Sequence, residues 1–469
     1  VRNDDFKGCN VSGIQKALST TLEPPPALEP GPGEPAQPAP PTATPPPWNL
    51  FTRIGFRLSF LYFALYVVST RMLEGLLPFS WVRILGDVAL MQRLVTWTGT
   101  RVFRIGYPFS FQSTGSGDTT VDYLQAFVLL MIAAGVTAIW SIVDRPRPDY
   151  RALNKWFRVF LRFSLGSTMV VYGMNKAIPL QMPAPGLQRL LEPFGNFSPM
   201  GVLWFSIGAS SSYEMFAGSM ELVGGVLLFV PHLATLGAMV TFAVAVQIFT
   251  LNMTYDVPVK LLSFHLILMS LLLIAPEATR IAKVLVLNRT AGPSAQPALF
   301  RRQALVFVAV AVQLVYGGYI GWTNYGDARQ SWTERGGGAP KSPLYGIWNI
   351  EAMTIDGHTR SPLVTDYARW RRVLFQAPTG ISFQRMDDSF VGYGAKIDMT
   401  AKTIVVTAAP DAPASTFMFQ QPNPERLIMD GALDGHAIHI DARLFDRESL
   451  LLVSRSKQFH WIQERPFNR

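Results

Sequence analysis

The chain alternates apolar runs of bilayer-crossing length with short basic connections, a pattern that excludes one water-soluble globule. Seven runs are expected to span: 51–69, 121–143, 156–172, 215–230, 233–253, 259–275 and 304–322. The long ones hold about 17 to 23 residues, as a hydrocarbon core roughly 30 Å thick requires. Charged residues make up only 16% of the chain, against roughly 25% in soluble domains.

Net charge is +9, which in a soluble protein would point to nucleic acid. Here the basic residues cluster between the runs. Arg53 and Arg57 open the first; Arg145, Arg147, Arg151, Lys155 and Arg158 separate the second from the third. Arg280, Lys283, Arg289, Arg301 and Arg302 separate the sixth from the seventh. With seven spans all three clusters fall on one side, which the positive-inside rule makes cytoplasmic. The expected partner is therefore the lipid bilayer and not nucleic acid. The expected location is a bacterial inner membrane, with the N-terminus cytoplasmic and the C-terminal domain periplasmic. The outer loop 70–120 carries an amphipathic stretch over 72–103 that would rest on the membrane surface. Cys9 is the single cysteine, which excludes an internal disulfide, a CxxC pair, a thiolate zinc site and a Cys-ligated iron–sulfur cluster. Nucleotide-binding loops, HExxH and GxSxG are absent from the sequence, so no cofactor site is encoded by motif.

The domain reading runs as follows. Residues 1–48 form a Pro-rich tail without apolar periodicity, expected to be disordered and cytoplasmic. No apolar h-region of a signal peptide follows its start, and Val1 points to an alternative start codon or a truncated gene. Residues 49–150 hold the first two spans, 151–290 a four-helix core, and 291–343 the seventh span and a linker. Within the core, 177–213 alternates Pro breaks with short amphipathic pieces and is read as an outer lid. From 344 to 469 short alternating runs follow at about ten-residue spacing: 373–375, 380–383, 390–397, 403–407, 416–419, 426–429, 437–440, 450–453 and 458–462. Turn-like Asp387-Asp388 and Asp434-Gly435 lie between them, and the pattern predicts an antiparallel barrel-like domain. The fold class is thus a polytopic α-helical membrane protein with a C-terminal antiparallel β-barrel-like domain.

Ionisable residues inside spans are costly and face the bundle interior by default. Arg162, Gly166, Met169, Gly173 and Lys176 share one face of the third span, and Glu214, Gly218, Glu221 and Gly225 one face of the fourth. Glycine stripes on antiparallel helices allow close approach. Lys176, Glu214, Glu221, Asn252, Asp256, Lys260 and His265 all fall in the outer half and are the candidate binding residues. Asp256 is expected to cap the sixth span, and Glu221 to pair with Lys260. A purely structural ion pair is the plain alternative to a site. His436 and His439 point to opposite faces of one strand, which argues against a metal pair.

The stretch from Tyr172-Gly173-Met174-Asn175-Lys176 through Glu221-Leu222-Val223-Gly224-Gly225 to Tyr255-Asp256-Val257-Pro258-Val259-Lys260-Leu261-Leu262-Ser263-Phe264-His265 resembles the DoxX-like bacterial inner-membrane family. Phe459-His460-Trp461-Ile462-Gln463-Glu464-Arg465-Pro466-Phe467-Asn468-Arg469 looks like the ending of longer members with an extra β domain. The resemblance implies a DoxX-like four-helix core and an association with quinone-linked redox complexes, with an oxidoreductase subunit as partner. The Gly346-x-Trp348 start also resembles lipocalin-like barrels. The functional expectation is a redox-associated protein handling quinone or another amphiphile in the outer half of its bundle. The alternative is a transporter or a membrane-anchored periplasmic binding or scaffold protein without catalytic activity.

Overall fold

The computed structural model describes residues 46–77, 79, 84–294, 299–409, 412–454 and 460–465. The tail expected over 1–48, with Cys9, lies almost wholly outside them.

Helix α1 (Leu50–Ser69) starts at Asn49, whose side chain accepts from Thr52 N at 2.8 Å. Short helices α2 (Met72–Leu76) and α3 (Ala89–Trp97) lie in the connection 70–119 that follows α1. On α3, Met91 and Val95 are buried while Leu90, Leu94 and Trp97 stay exposed. A Thr119–Asp122 capping box opens α4 (Thr120–Val143). Then come α5 (Arg151–Ala177), α6 (Pro199–Gly208), α7 (Ser211–Phe229), α8 (Ala234–Thr254), α9 (Lys260–Ile274), α10 (Ala278–Leu285) and α11 (Gln303–Glu334).

Among the described residues, five helical segments are long and apolar enough to cross a membrane: α1, α4, Pro231–Thr254, Lys260–Leu285 and α11. The expected third and fourth runs lie in α5 and α7, which carry the buried Arg162, Lys176, Glu214 and Glu221. Helix α11 continues to Glu334, well past the expected end at 322. In the lid, α6 forms over Pro199–Gly208, but 187–192 folds as turns.

The basic clusters meet at one end of the bundle. Arg53 donates to the carbonyls of Arg145 and Arg147 at 3.2 and 2.9 Å. Arg57, 1% exposed, donates to Tyr150 Oη, Ser141 Oγ and the Asp144 carbonyl. Arg158 reaches the Leu273 carbonyl at 3.4 Å, and Trp156 meets Phe300 edge-on.

A closed eight-stranded antiparallel barrel follows α11. Strand β1 (Gly346–Ile355) pairs with both β3 (Trp370–Phe375) and β9 (His436–Leu444), and β2 (His358–Thr359) is a two-residue hook on β1. Between them run β4 (Gly380–Arg385), β5 (Phe390–Asp398), β6 (Thr403–Thr407), β7 (Ser415–Asn423) and β8 (Arg426–Leu433), each paired with its sequence neighbour. Trp348, Phe375, Phe383, Phe417 and Phe419 fill its core, and Trp348 Nε1 donates to the Leu344 carbonyl at 3.0 Å. Asp388, Lys402 and Asp434 take positive φ in the tight turns, where short polar residues and glycine are tolerated. Segment 450–453, expected as a strand, is a bend and turn. The run at 458–462 lies partly outside the described residues, and 460–462 has no strand.

The barrel rests on the segment between α5 and α6. Leu187 packs with Ile347 and Leu374, and Leu187 N donates to Gln376 Oε1 at 2.8 Å.

Candidate functional site

The site is set by the α5–α7 contact, where the two glycine stripes meet. A Cβ on Gly218 would fall 2.3 Å from Ala177 N and 2.6 Å from the Gly173 carbonyl. One on Gly225 would fall 2.9 Å from the Gly166 carbonyl. Only glycine permits this backbone approach. It brings Lys176 of α5 against Glu221 of α7, and Lys176 Nζ donates to Glu221 Oε1. One turn before Gly218, Glu214 is fully buried and its Oε1 accepts from Met182 N at 2.8 Å. At the far end of the same contact Arg162 closes the carbonyl of Leu228 with two hydrogen bonds, at 2.9 and 2.8 Å.

Beside the ion pair lies a cavity of about 330 Å³. Lys176, Gln181, Glu214, Glu221 and Asn252 are among its polar lining, with Tyr172, Gln247 and Ser263; Met169, Leu203, Trp204, Ile207 and Leu266 are among its apolar walls. Its mouth lies between α7 and α8, where the lining residues Phe216, Met220, Ala243 and Gln247 are exposed. The segment 177–213 contributes Gln181, Met182, Leu203, Trp204, Ile207 and Tyr213 to the lining. Asn252 Nδ2 donates to Ser263 Oγ at 3.1 Å and to the Val259 carbonyl at 3.3 Å, tying α8 to α9 behind the cavity.

Three of the candidate residues are elsewhere. Lys260 stands at the rim and pairs with Asp256 at 2.8 Å and Asp118 at 3.9 Å. The expected Glu221–Lys260 pair is therefore replaced by Glu221–Lys176. Asp256 is exposed and takes φ +53 in the α8–α9 connection; it does not cap α9. That role falls to Asp118, whose two carboxylate oxygens accept from Lys260 N and Leu261 N at 2.7 and 2.8 Å. His265 turns toward α1. Its Nδ1 lies 2.7 Å from the Leu261 carbonyl, which can only accept, so Nδ1 carries the proton. Nε2 then accepts from Tyr62 Oη at 2.7 Å, and the Tyr66 ring stacks at 3.8 Å. His265 is thus a satisfied interior histidine.

A second cavity, about 680 Å³, lies among α1, α4 and α5 next to the hydroxyl-rich loop 110–117. Tyr172, Val259 and Leu262 line both cavities. Sequence reasoning missed Asp118, Tyr62, Tyr66 and this space. The run of Ser and Thr over 110–120 was its one visible signal. Among the described residues no His, Cys, Asp and Glu gather in a set able to hold a metal ion.

Helices of bilayer-crossing length, a charged cavity among the helices and a closed C-terminal barrel define a membrane protein with an appended β-barrel domain. No family model matches the chain, and no solved structure matches it. Over 133 residues it is 31% identical to the uncharacterized protein YwoB of Bacillus subtilis (strain 168), covering 26% of this chain and 76% of YwoB. The chain belongs to the same family as YwoB.

Proposed function

We propose that the protein is a bacterial inner-membrane component of DoxX-like type that takes a quinone-like amphiphile from the bilayer. Seven spans, α1, α4, α5, α7, α8, α9 and α11, would put the basic end in the cytoplasm and the barrel in the periplasm. The observation that carries the reading is the shape of the cavity. It opens sideways between α7 and α8, past exposed Phe216 and Met220, and ends on the buried Lys176–Glu221 pair. A ring with a lipid-soluble tail fits such a site, because the tail stays in lipid while the polar end meets charge. A partner oxidoreductase subunit would exchange electrons with it. In native membranes a photoreactive quinone analogue should label residues of α6, α7 or α8, with decylubiquinone as competitor. Labelling that decylubiquinone does not compete would sink the reading.

A second reading has its own observation. The barrel grips the cavity cover through Leu187 and Gln376. A barrel that binds a periplasmic partner would make this chain an anchor or scaffold. Stable capture of one partner by the whole protein, with no quinone bound, would favour that reading.

A further inference from the structure

The deep end of the cavity holds polar atoms that are buried without a partner: Gln181 Oε1, Glu214 Oε2 and Glu221 Oε2. Every one is an oxygen. An amide can turn over, but a carboxylate presents oxygen either way. Glu214 is 0% and Glu221 2% exposed, so bulk water does not serve them. Three donors at this end are engaged: Lys176 on Glu221 Oε1, Met182 N on Glu214 Oε1, and Asn252 on Val259 and Ser263, while Tyr172, Trp204, Tyr213 and Gln247 line the rest of the cavity. Two carboxylates face one ammonium. Buried acceptors left unmatched are costly, so an occupant that donates hydrogen bonds is favoured over one that only accepts.

This separates the two oxidation states of the ligand class proposed above, and the inference rests on that reading. A quinone ring presents two carbonyl oxygens, both acceptors. Its reduced form presents two hydroxyls, both donors. We infer that the cavity selects the reduced form, a hydroquinone-type amphiphile, with its hydroxyls donating to Glu214 Oε2 and Glu221 Oε2. The two residues are seven apart on α7, about 10 Å along the axis. A ring with hydroxyls at opposite ends and a hydrogen bond from each bridges a comparable span. Binding alone is meant: no bond breaks and no electron moves.

The test uses the whole protein in nanodiscs free of endogenous quinone. Decylubiquinol, kept reduced without oxygen, and decylubiquinone are titrated separately, and retained ligand is quantified by chromatography. Decylubiquinol should bind about tenfold more tightly. Glu214→Gln keeps the Lys176–Glu221 pair and turns a lone acceptor into a group that also donates, so the preference should fall to about threefold or less. The comparison on the unmodified protein needs no variant to fold. Equal or tighter binding of decylubiquinone overturns the inference and leaves the amphiphile reading standing. Binding of neither form overturns the reading itself and the inference with it.

Discussion

Lys176 and Glu221 face each other across the α5–α7 contact with only 8% and 2% of their side-chain surfaces exposed. Their pairing follows from the glycines that flank them, since Gly173 and Gly218 let the two backbones touch one turn away. Removing one partner strands a charge in a low-dielectric site, which costs about 3–5 kcal/mol. Glu221→Leu and Lys176→Met should each lower the unfolding temperature sharply. The double variant, with no charge to strand, should be more stable than either single one. A double variant that loses the full sum of the single losses would mean that the pair does not act as a unit.

Gly218 offers the cleanest test of the helix contact itself. The atoms a Cβ would strike, Ala177 N and the Gly173 carbonyl, are backbone and cannot swing aside. Gly218→Ala should therefore destabilise by about 1–3 kcal/mol or more through overpacking. Gly135 on α4 has nothing within 4 Å of its Cβ position, and Gly135→Ala should be neutral or mildly stabilising. Thermal unfolding of the two variants side by side checks this. Equal tolerance of both would remove close packing as the reason for the stripe.

Much of this was legible because depth and spacing are one-dimensional. Run 51–69 became α1 at Leu50–Ser69, and 403–407 is β6 without change. The stripes through Gly166, Gly173, Gly218 and Gly225 lie on the contact they implied. Rotation about the helix axis was not legible. Lys260 and His265 lie in the first two turns of α9, yet one turns to Asp118 at the rim and the other to Tyr62 on α1. Which lysine meets Glu221 depends on helix packing, and Gly218 in contact with Lys176 decides it. Asp118 is 142 residues from Lys260, and no local spacing encodes a cap supplied from that distance.

In the barrel, Asp441 on β9 accepts from Arg426 on β8 through both oxygens, at 3.0 and 2.6 Å. The Arg426 hydrogen bond holds the Asp441 carboxyl below the usual carboxylate range, against the opposing push of partial burial. A group depressed on folding contributes stability above its unfolded value of about 4, and loses it as pH falls through the lower folded value. Asp441→Asn should thus weaken the barrel modestly near pH 7, and less at higher salt, because Arg426 is half exposed. The gap between variant and parent should be smaller at about pH 3 than at pH 7, because the unfolded carboxyl is by then mostly protonated. A gap of the same size at both pH values would show that charge plays no part.

Asp118 ties the loop 110–117 to the first turn of α9. Its carboxylate, 7% exposed, receives the first two N–H groups of α9, and Gly117 N donates to the Pro258 carbonyl at 2.8 Å beside it. A helix N-terminus left without such an acceptor loses about 0.5–2 kcal/mol. The carboxylate also balances Lys260 and the positive end of the helix dipole. Asp118→Ala should speed hydrogen exchange at the amides of Lys260 and Leu261 and loosen the 110–117 loop, with barrel amides unchanged. Asp118→Asn keeps one acceptor oxygen and should fall between the two. Unchanged protection at Lys260 and Leu261 in Asp118→Ala would mean that α9 holds its first turn through Ser263 and Pro258 alone, and the loop would then be an ornament on the bundle instead of its clasp.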